Sequence, residues 1–312
     1  MSKKIAIIGA GKISYSLTPA LLKAGYNVDT IISKHSDSAR ALAGKFGIKK
    51  YSDNINLISK LANVFFLTVP DSEIEKTANQ LSKLILNFKQ SMFVHLSGAE
   101  NINVLKPLKI KGSKTASIHL MQTFPSKKVV QLKNVHAAIE TDDESSYKYL
   151  LQLSNKLNLI PFRIDSKYKS YYHLAGVFAS NFLTGNLYYS KKLLSLNNIE
   201  QDKFFNILSS TINSTLRNIK NVGPANALSG PVDRGDVKTI KSHLSSLKKL
   251  KNKFSSNSGS MLLKNYIIQS MLLLNLVEEK HGQLNKSHRV IKELMVQELR
   301  KIEKSNSLYL YF

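Results

Sequence analysis

Apolar and polar positions follow two different rhythms along the 312-residue chain. Up to about residue 165, short apolar runs at 4–8, 27–33, 64–69, 92–96, 115–119, 135–140 and 159–164 predict strands. Between them, 12–24, 36–45, 71–86 and 143–157 carry the spacing of amphipathic helices. The strand runs are nearly all apolar, as strands covered on both faces must be, and their alternation with helices predicts a doubly wound, mostly parallel sheet.

After Asp165 the strand signals stop. Helical periodicity takes over at 171–194, 201–221, 237–249, 261–280 and 287–305, with loops expected at 221–236 and 255–260. The expected fold is α/β, with a doubly wound, dinucleotide-binding type of domain over 1–165 and an all-helical substrate and dimerisation domain over 166–312. Hydrophobic residues make up 43% of the chain, enough for two packed cores, which excludes disorder as the main state.

Charge changes this picture less than its size suggests. Lys+Arg is 45 against 21 Asp+Glu, a formal +24. Only six of the 45 are arginine, leaving 39 lysines scattered over both halves, densest at Lys248, Lys249, Lys251 and Lys253. No zinc-finger spacing or aromatic strand motif accompanies them, so a solvated basic surface is expected and nucleic acid is not. The surplus could still favour phosphate-bearing small ligands. Cysteine is absent, which removes disulfides, thiolate metal sites and thiol nucleophiles; no metal site is expected. The first apolar run breaks at Gly9 and Gly11, so it does not read as a signal peptide. The most apolar stretch, 261–277, is interrupted by Lys264, Asn265 and Gln269, short of the roughly 18 residues that cross a bilayer. A cytoplasmic protein without membrane contact is expected.

The first strand runs into Gly9-Ala10-Gly11-Lys12-Ile13-Ser14 and then a helix. In this context Gly9 permits a tight turn, and Gly11 lets backbone approach a pyrophosphate at the helix start, beside Lys12 and Ile13. Ser14 is small enough for close helix–strand packing. The second strand ends in Ser33 and Lys34, a hydroxyl and a cation where a ribose 2′-phosphate would lie. Asp29 falls too early in the strand to bind a 2′-hydroxyl, which predicts NADPH over NADH. Lys34 could equally be one more surface lysine.

Three further segments stand at predicted strand ends, where ligands bind in such sheets: Thr68-Val69-Pro70-Asp71, His95-Leu96-Ser97-Gly98-Ala99 and His119-Leu120-Met121-Gln122-Thr123-Phe124. At 100° per residue, His173, Gly176, Ser180 and Thr184 share a narrow helix face with Asn181 at its edge. That stripe is either an internally bonded packing face or a polar face turned to a crevice, offering a proton donor and substrate hydrogen bonds. The loop from Ala227 to Asp236 carries Arg234, whose guanidinium suits a carboxylate unless Asp233 or Asp236 neutralises it.

Taken together, the glycine loop, T-V-P-D, H-L-S-G-A, H-x-x-Q-T-F-P, Y-H-x-A-x-V-F-A-S-N and A-L-S-G-P-V-x-R-G-D resemble bacterial proteins with a Rossmann-like domain followed by the domain designated DUF2520. The resemblance spans residues 4 to about 245. The two-domain plan is also similar to that of pyrroline-5-carboxylate reductases, 6-phosphogluconate dehydrogenases and ketopantoate reductases. It implies an NADP-dependent reductase; some family members are alternative ketopantoate reductases that make pantoate for coenzyme A synthesis. Leu120 stands where the family pattern has proline, which bears on the loop's conformation. A second departure concerns the catalytic lysine of ordinary ketopantoate reductases: no motif here places it, and Lys169, one turn before His173, is the nearby candidate.

The expected chemistry is hydride transfer to the keto carbon of a small branched 2-oxo acid. His173 or Lys169 would supply the proton, Asn181 and Ser180 orient the carbonyl, and Arg234 hold the carboxylate. His119 and Ser97 are second candidates, with Gln122 and Asp236 alongside; Val69 and Pro70 join the cofactor residues. Reduction of an imine of the pyrroline-5-carboxylate type and a non-catalytic NADP(H) sensor are the alternatives. The apolar helices 171–194 and 261–280 exceed what a small helical domain needs to hide, so a homodimer is expected.

Overall fold

Period-two alternation sends successive strand side chains to opposite faces of one sheet, and each face has its own core. The computed structural model describes residues 4–307 except 59, 198, 201–202 and 251–255. Lys251, Lys253, Gln201 and Ser255, which the sequence reading used, lie outside the described residues. The chain forms two compact units, 1–184 and 185–312.

The first unit holds β1 (Lys4–Ile8), β2 (Asn27–Ile32), β3 (Lys50–Ser52), β4 (Val64–Leu67), β5 (Met92–His95), β6 (Lys114–Leu120), β7 (His136–Glu140) and β8 (Ile160–Arg163). They form one sheet in the order 3-2-1-4-5-6-7-8. Only the β6–β7 pair is antiparallel. Ile5 and Ile7 pack with α1 (Ser14–Lys23), α2 (Ser36–Lys45) and α5 (Glu144–Lys156), through Leu17, Leu21, Leu42, Leu150 and Leu153. Ala6 and Ile8 face α3 (Asp71–Leu81) and the short α4 (Lys106–Ile110), through Ile74, Ala78, Leu81 and Leu108. Phe65 and Phe93 stack across β4 and β5 with centroids 4.6 Å apart. Burial on both faces is what removed polar residues from these strands.

β3 has no counterpart in the sequence reading. It is a three-residue edge strand, Lys-Tyr-Ser, and carries no apolar pattern. The third helix ends at Leu81, not 86, after which Leu84 and Leu86 continue in the second core without helical form. Asp143 caps α5 by accepting from the Ser146 amide at 2.6 Å.

From Lys169 the chain is helical through α6 (Lys169–Gly176), a π-turn (Val177–Phe182) and α7 (Leu183–Ser195). The second unit continues with α8 (Phe204–Ala227), α9 (Val237–Leu250), α10 (Ser256–His281) and α11 (Lys286–Ser307). Its core joins Ile240, Leu244, Leu263, Ile267, Val277, Ile291 and Met295. Two loop expectations are corrected here. Helix persists to Ala227, broken at Gly223 where φ is +77°, so Pro224 opens a new turn. Residues 256–260 belong to α10. The segment Gly259–His281 is long and apolar enough to cross a membrane by length and composition, contrary to the expectation. In this unit its Leu262, Leu263, Ile267, Leu274 and Val277 are buried against α9 and α11.

Candidate functional site

The sheet order reverses between β1 and β4, which opens a crevice beyond their carboxyl ends. Gly9 follows β1 with φ +114°, and a Cβ there would lie 2.6 Å from the Thr68 carbonyl carbon and oxygen. Only glycine fits that crossing. Ser14, fully buried, donates to the Thr68 hydroxyl at 2.9 Å, and Thr68 donates to the Gly9 carbonyl at 2.8 Å. The glycine turn is thus tied to the end of β4.

Gly11 is different. Its φ is ordinary, and a Cβ would meet only the Thr68 carbonyl oxygen, at 3.4 Å. The protein's own packing does not demand glycine there. The entry to α1 has no side-chain cap, so its first amides are free of side-chain acceptors.

Beyond the loop lies a cleft of about 720 Å³. Gly9, Gly11, Ser33, Lys34, Val69 and Pro70, the residues expected to hold the cofactor, line it. Lys12 is exposed at the helix start, while Ile13 packs against the first core rather than lining the cleft. Asp29 sits mid-β2 and pairs with Lys50 at 3.3 Å, away from the strand end. The reading missed Asp53, Asn54 and Lys76, which also face the cleft. The first two follow β3, the strand without an apolar signal.

A second group gathers at the ends of β5 and β6. The Ser97 hydroxyl accepts from the amides of Ala99 and Glu100 at 3.1 and 2.9 Å, shaping the turn that carries Gly98. The His119 ring lies on Gly98: a Cβ there would sit 2.7 Å from His119 Nε2. Nδ1 of His119 is 2.8 Å from the Tyr172 hydroxyl. A phenol proton given to Nδ1 leaves the ring proton on Nε2. Burial pushes the Tyr172 phenol up to about 12. Burial first, then the charge of Lys169 and the neighbouring His173, pull His119 down to about 4. Both rings are therefore neutral near pH 7. His95, fully buried, is also held well below the usual histidine range by burial and by Lys169, and its Nδ1 accepts from the Ser97 amide at 3.2 Å.

His173 meets His119 edge-on, with centroids 6.3 Å apart. Lys169 does not reach the crevice surface: its side chain is 2% exposed and its ammonium lies 2.6 Å from Glu140 Oε2, beside the Ser117 hydroxyl. Ser180 and Asn181 fall in the π-turn, where the residue stacked over position i shifts from i+4 toward i+5. Asn181 therefore moves toward the face of Gly176, closer to the stripe than α-helical spacing gives. Gln122 is exposed, its side-chain oxygen accepting from the Thr123 amide at 2.8 Å.

In the second unit, the loop holding Arg234 is clamped from below. Asp233 takes Lys280 at 2.9 Å and His281 at 3.3 Å, and its carbonyl meets His288 Nε2 at 3.1 Å. Asp236 caps α9 through Thr239, whose hydroxyl and amide hold its carboxyl below the usual range. Val232 is buried in the core. Both acids hydrogen-bond elsewhere, although the charge of Arg234 also helps hold Asp236 low; among the described residues no hydrogen bond or ion pair holds the exposed Arg234 guanidinium.

Residues 2–120 match the family model described as a Rossmann-like domain, and residues 135–261 match the domain of unknown function DUF2520. The chain therefore carries a Rossmann-like domain followed by a DUF2520 domain. No curated protein matches it. A protein of Bacteroides fragilis assigned as an NADP oxidoreductase superposes with a TM-score of 0.70 at 23% identity, covering 90% of this chain and 99% of that one. A reductive aminase from Aspergillus terreus, solved with NADPH and ethyl levulinate, gives 0.61 at 12%, covering 94% and 99%. A 1-pyrroline-5-carboxylate reductase from Streptococcus pyogenes gives 0.57 at 14%, covering 86% and 97%. At these identities the likeness is one of fold.

Proposed function

We propose that this chain, with its Rossmann-like and DUF2520 domains, is an NADPH-dependent reductase of a small 2-oxo acid, with ketopantoate the first substrate to try. One observation carries the reading. The crevice at the β1–β4 reversal has a glycine, Gly11, that the protein's own packing does not need, and the β5–β6 ends beside it present a polarising imidazole, His119.

The residues present fit the cofactor. Gly9, Gly11 and the uncapped start of α1 would hold the pyrophosphate, and Ser33 and Lys34 the 2′-phosphate. When bound, NADPH supplies the hydride. The chain's own part is to orient the carbonyl and stabilise the oxygen charge that grows on it. His119, neutral near pH 7, would donate from Nε2 to that oxygen, with the Tyr172 hydroxyl on Nδ1 setting that tautomer. His173 stands beside His119 as the second proton source, and Ser180 and Asn181 would orient the carbonyl. Arg234 would take the carboxylate, since among the described residues no hydrogen bond or ion pair holds its guanidinium. The nearby fold of a pyrroline-5-carboxylate reductase supports an imine as the alternative acceptor.

The deciding experiment is oxidation of NADPH and of NADH against ketopantoate, pyrroline-5-carboxylate and a panel of 2-oxo acids. Turnover of an oxo acid with NADPH is expected. Turnover confined to the imine selects the alternative, and tight binding of NADPH with no turnover leaves a sensor.

A further inference from the structure

Lys169 and Glu140 form a fully buried ion pair inside the first unit, each side chain 2% exposed. Every near donor is accounted for. Glu140 Oε2 takes the ammonium at 2.6 Å and the Ser117 hydroxyl at 3.0 Å; Oε1 takes the Ile102 amide at 3.0 Å and the Ser166 hydroxyl at 2.6 Å. The ammonium also meets the Ser117 hydroxyl. Removing two charges from water is costly, and an apolar pair of the same volume commonly stabilises a fold as well or better. What the ion pair adds is a fixed position, because its hydrogen bonds are satisfied in one arrangement only.

The elements it joins are the informative part. Glu140 ends β7, and Ser117 lies on β6 beside His95 of β5 in register. Ser117 is two residues from His119, on the same face of β6. Lys169 opens α6, and Tyr172 and His173 lie three and four residues on, on the same helix face. The pair therefore ties the first turn of α6 to the strand that carries His119, one turn before the residue that touches it. Phe162 of β8 backs the Tyr172 ring, with centroids 5.9 Å apart, but offers no directional bond.

We infer that Lys169 is a positioning residue: with Glu140 and Ser117 it staples α6 to β6 and β7, and so sets the Tyr172 hydroxyl on His119 Nδ1. Its amine meets no substrate. This rests on the reductase reading for its catalytic consequence but not for its geometry. After the burial of the rings themselves, the nearby ammonium also disfavours protons on His95 and His119.

The test is a double-mutant cycle with an independent readout. K169M and the paired E140Q/K169M, which keeps an acceptor for Ile102 and Ser166, are each combined with Y172F. The full chain is used throughout, and the His119 tautomer is followed by imidazole nitrogen NMR. The expected result is a kcat loss of about tenfold or more for either lysine variant, with the Kd for NADPH unchanged. Little further loss is expected in the Y172F background, where the contact is already gone. The His119 resonances should move from a single Nε2–H tautomer to a mixture. Should K169M not fold, the paired variant decides. Unmoved His119 resonances, or equal kcat losses with and without the Tyr172 hydroxyl, overturn the inference. A wild-type chain without reductase activity whose His119 tautomer still depends on Lys169 supports the staple and overturns the reductase reading alone.

Discussion

The Tyr172 hydroxyl lies 2.8 Å from Nδ1 of His119, joining residues 53 positions apart in sequence. This contact decides which imidazole nitrogen carries the ring proton. Replacing the phenol frees His119 to exchange tautomers; replacing His119 removes the donor. Y172F is expected to lower kcat about tenfold and H119A about a hundredfold, in the range of lost general acid or electrophilic assistance. Fluorescence titration of NADPH should show no change in either. Unchanged steady-state kcat in H119A would remove His119 from the reaction.

The two loop glycines should separate folding from binding. G9A forces a side chain into the left-handed region and onto the Thr68 backbone at 2.6 Å. It is expected to lower Tm by several degrees, a cost of about 2 kcal/mol or more. G11A has room within the protein and should leave Tm nearly unchanged while weakening NADPH binding about tenfold or more. Calorimetry and titration on the two variants check this. Equal effects of G11A on stability and binding would argue that no ligand reaches Gly11.

Much of the fold was legible because burial on both faces of a parallel sheet forces long apolar runs, as in Phe65-Phe66-Leu67 of β4. β3 was not, because a short edge strand need not be apolar. The π-turn at Val177–Phe182 escaped because a search at 100° per residue assumes α geometry, so Asn181 was placed at the edge of the stripe. The glycine loop and the Thr68-Val69-Pro70 strand end are local, and they line the cleft. The Tyr172–His119 contact and the Glu140–Lys169 pair are long-range, and nothing near either residue in sequence announces the other. Glu140 closes the predicted strand run 135–140, and nothing in that run foretells its burial.

Stability should fall on mild acidification. His119 is depressed to about 4 in the folded chain against about 6.5 unfolded. Below pH 6.5 the unfolded chain takes a proton that the folded chain refuses. The favourable contribution is therefore complete above about pH 6.5 and is lost progressively down to about pH 4, for up to about 3 kcal/mol. His95 acts in the same direction. Urea titrations at pH 7 and pH 5 are expected to show a lower midpoint at pH 5, with H119Q losing part of that dependence. Identical pH dependence in wild type and H119Q would contradict the buried neutral assignment.

The helical run after Lys169 leaves large apolar side chains uncovered, among them Tyr171, Phe178 and Phe182, which are 69%, 63% and 49% exposed. Phe178 and Phe182 pack edge-on with centroids 4.8 Å apart, a contiguous patch rather than scattered residues. A second copy of the chain is the expected cover, since closed pairs are the commonest assembly. Light scattering should give twice the chain mass, and F178K/F182K should shift it toward the monomer. A monomeric wild type at micromolar concentration would exclude the pairing.

Arg234 offers the sharpest separation of binding from chemistry. Its loop is held by Asp233, through Lys280 and His281, and by the Asp236 cap on α9, while among the described residues no hydrogen bond or ion pair holds the guanidinium. If it takes the substrate carboxylate, its contribution is equal in ground and transition states, and loss appears in KM. R234A is expected to raise KM for the oxo acid about 10- to 100-fold, the size of a charge-assisted hydrogen bond, with kcat and NADPH affinity little changed. R234K should recover only part of this, because an ammonium cannot form the two parallel bonds of the fork. D233N should act less strongly in the same direction, and with a lower Tm, because it loosens the loop without removing the cation. A fall in kcat at constant KM for R234A would place the arginine in the chemical step instead, and no change in either would leave the carboxylate to another group.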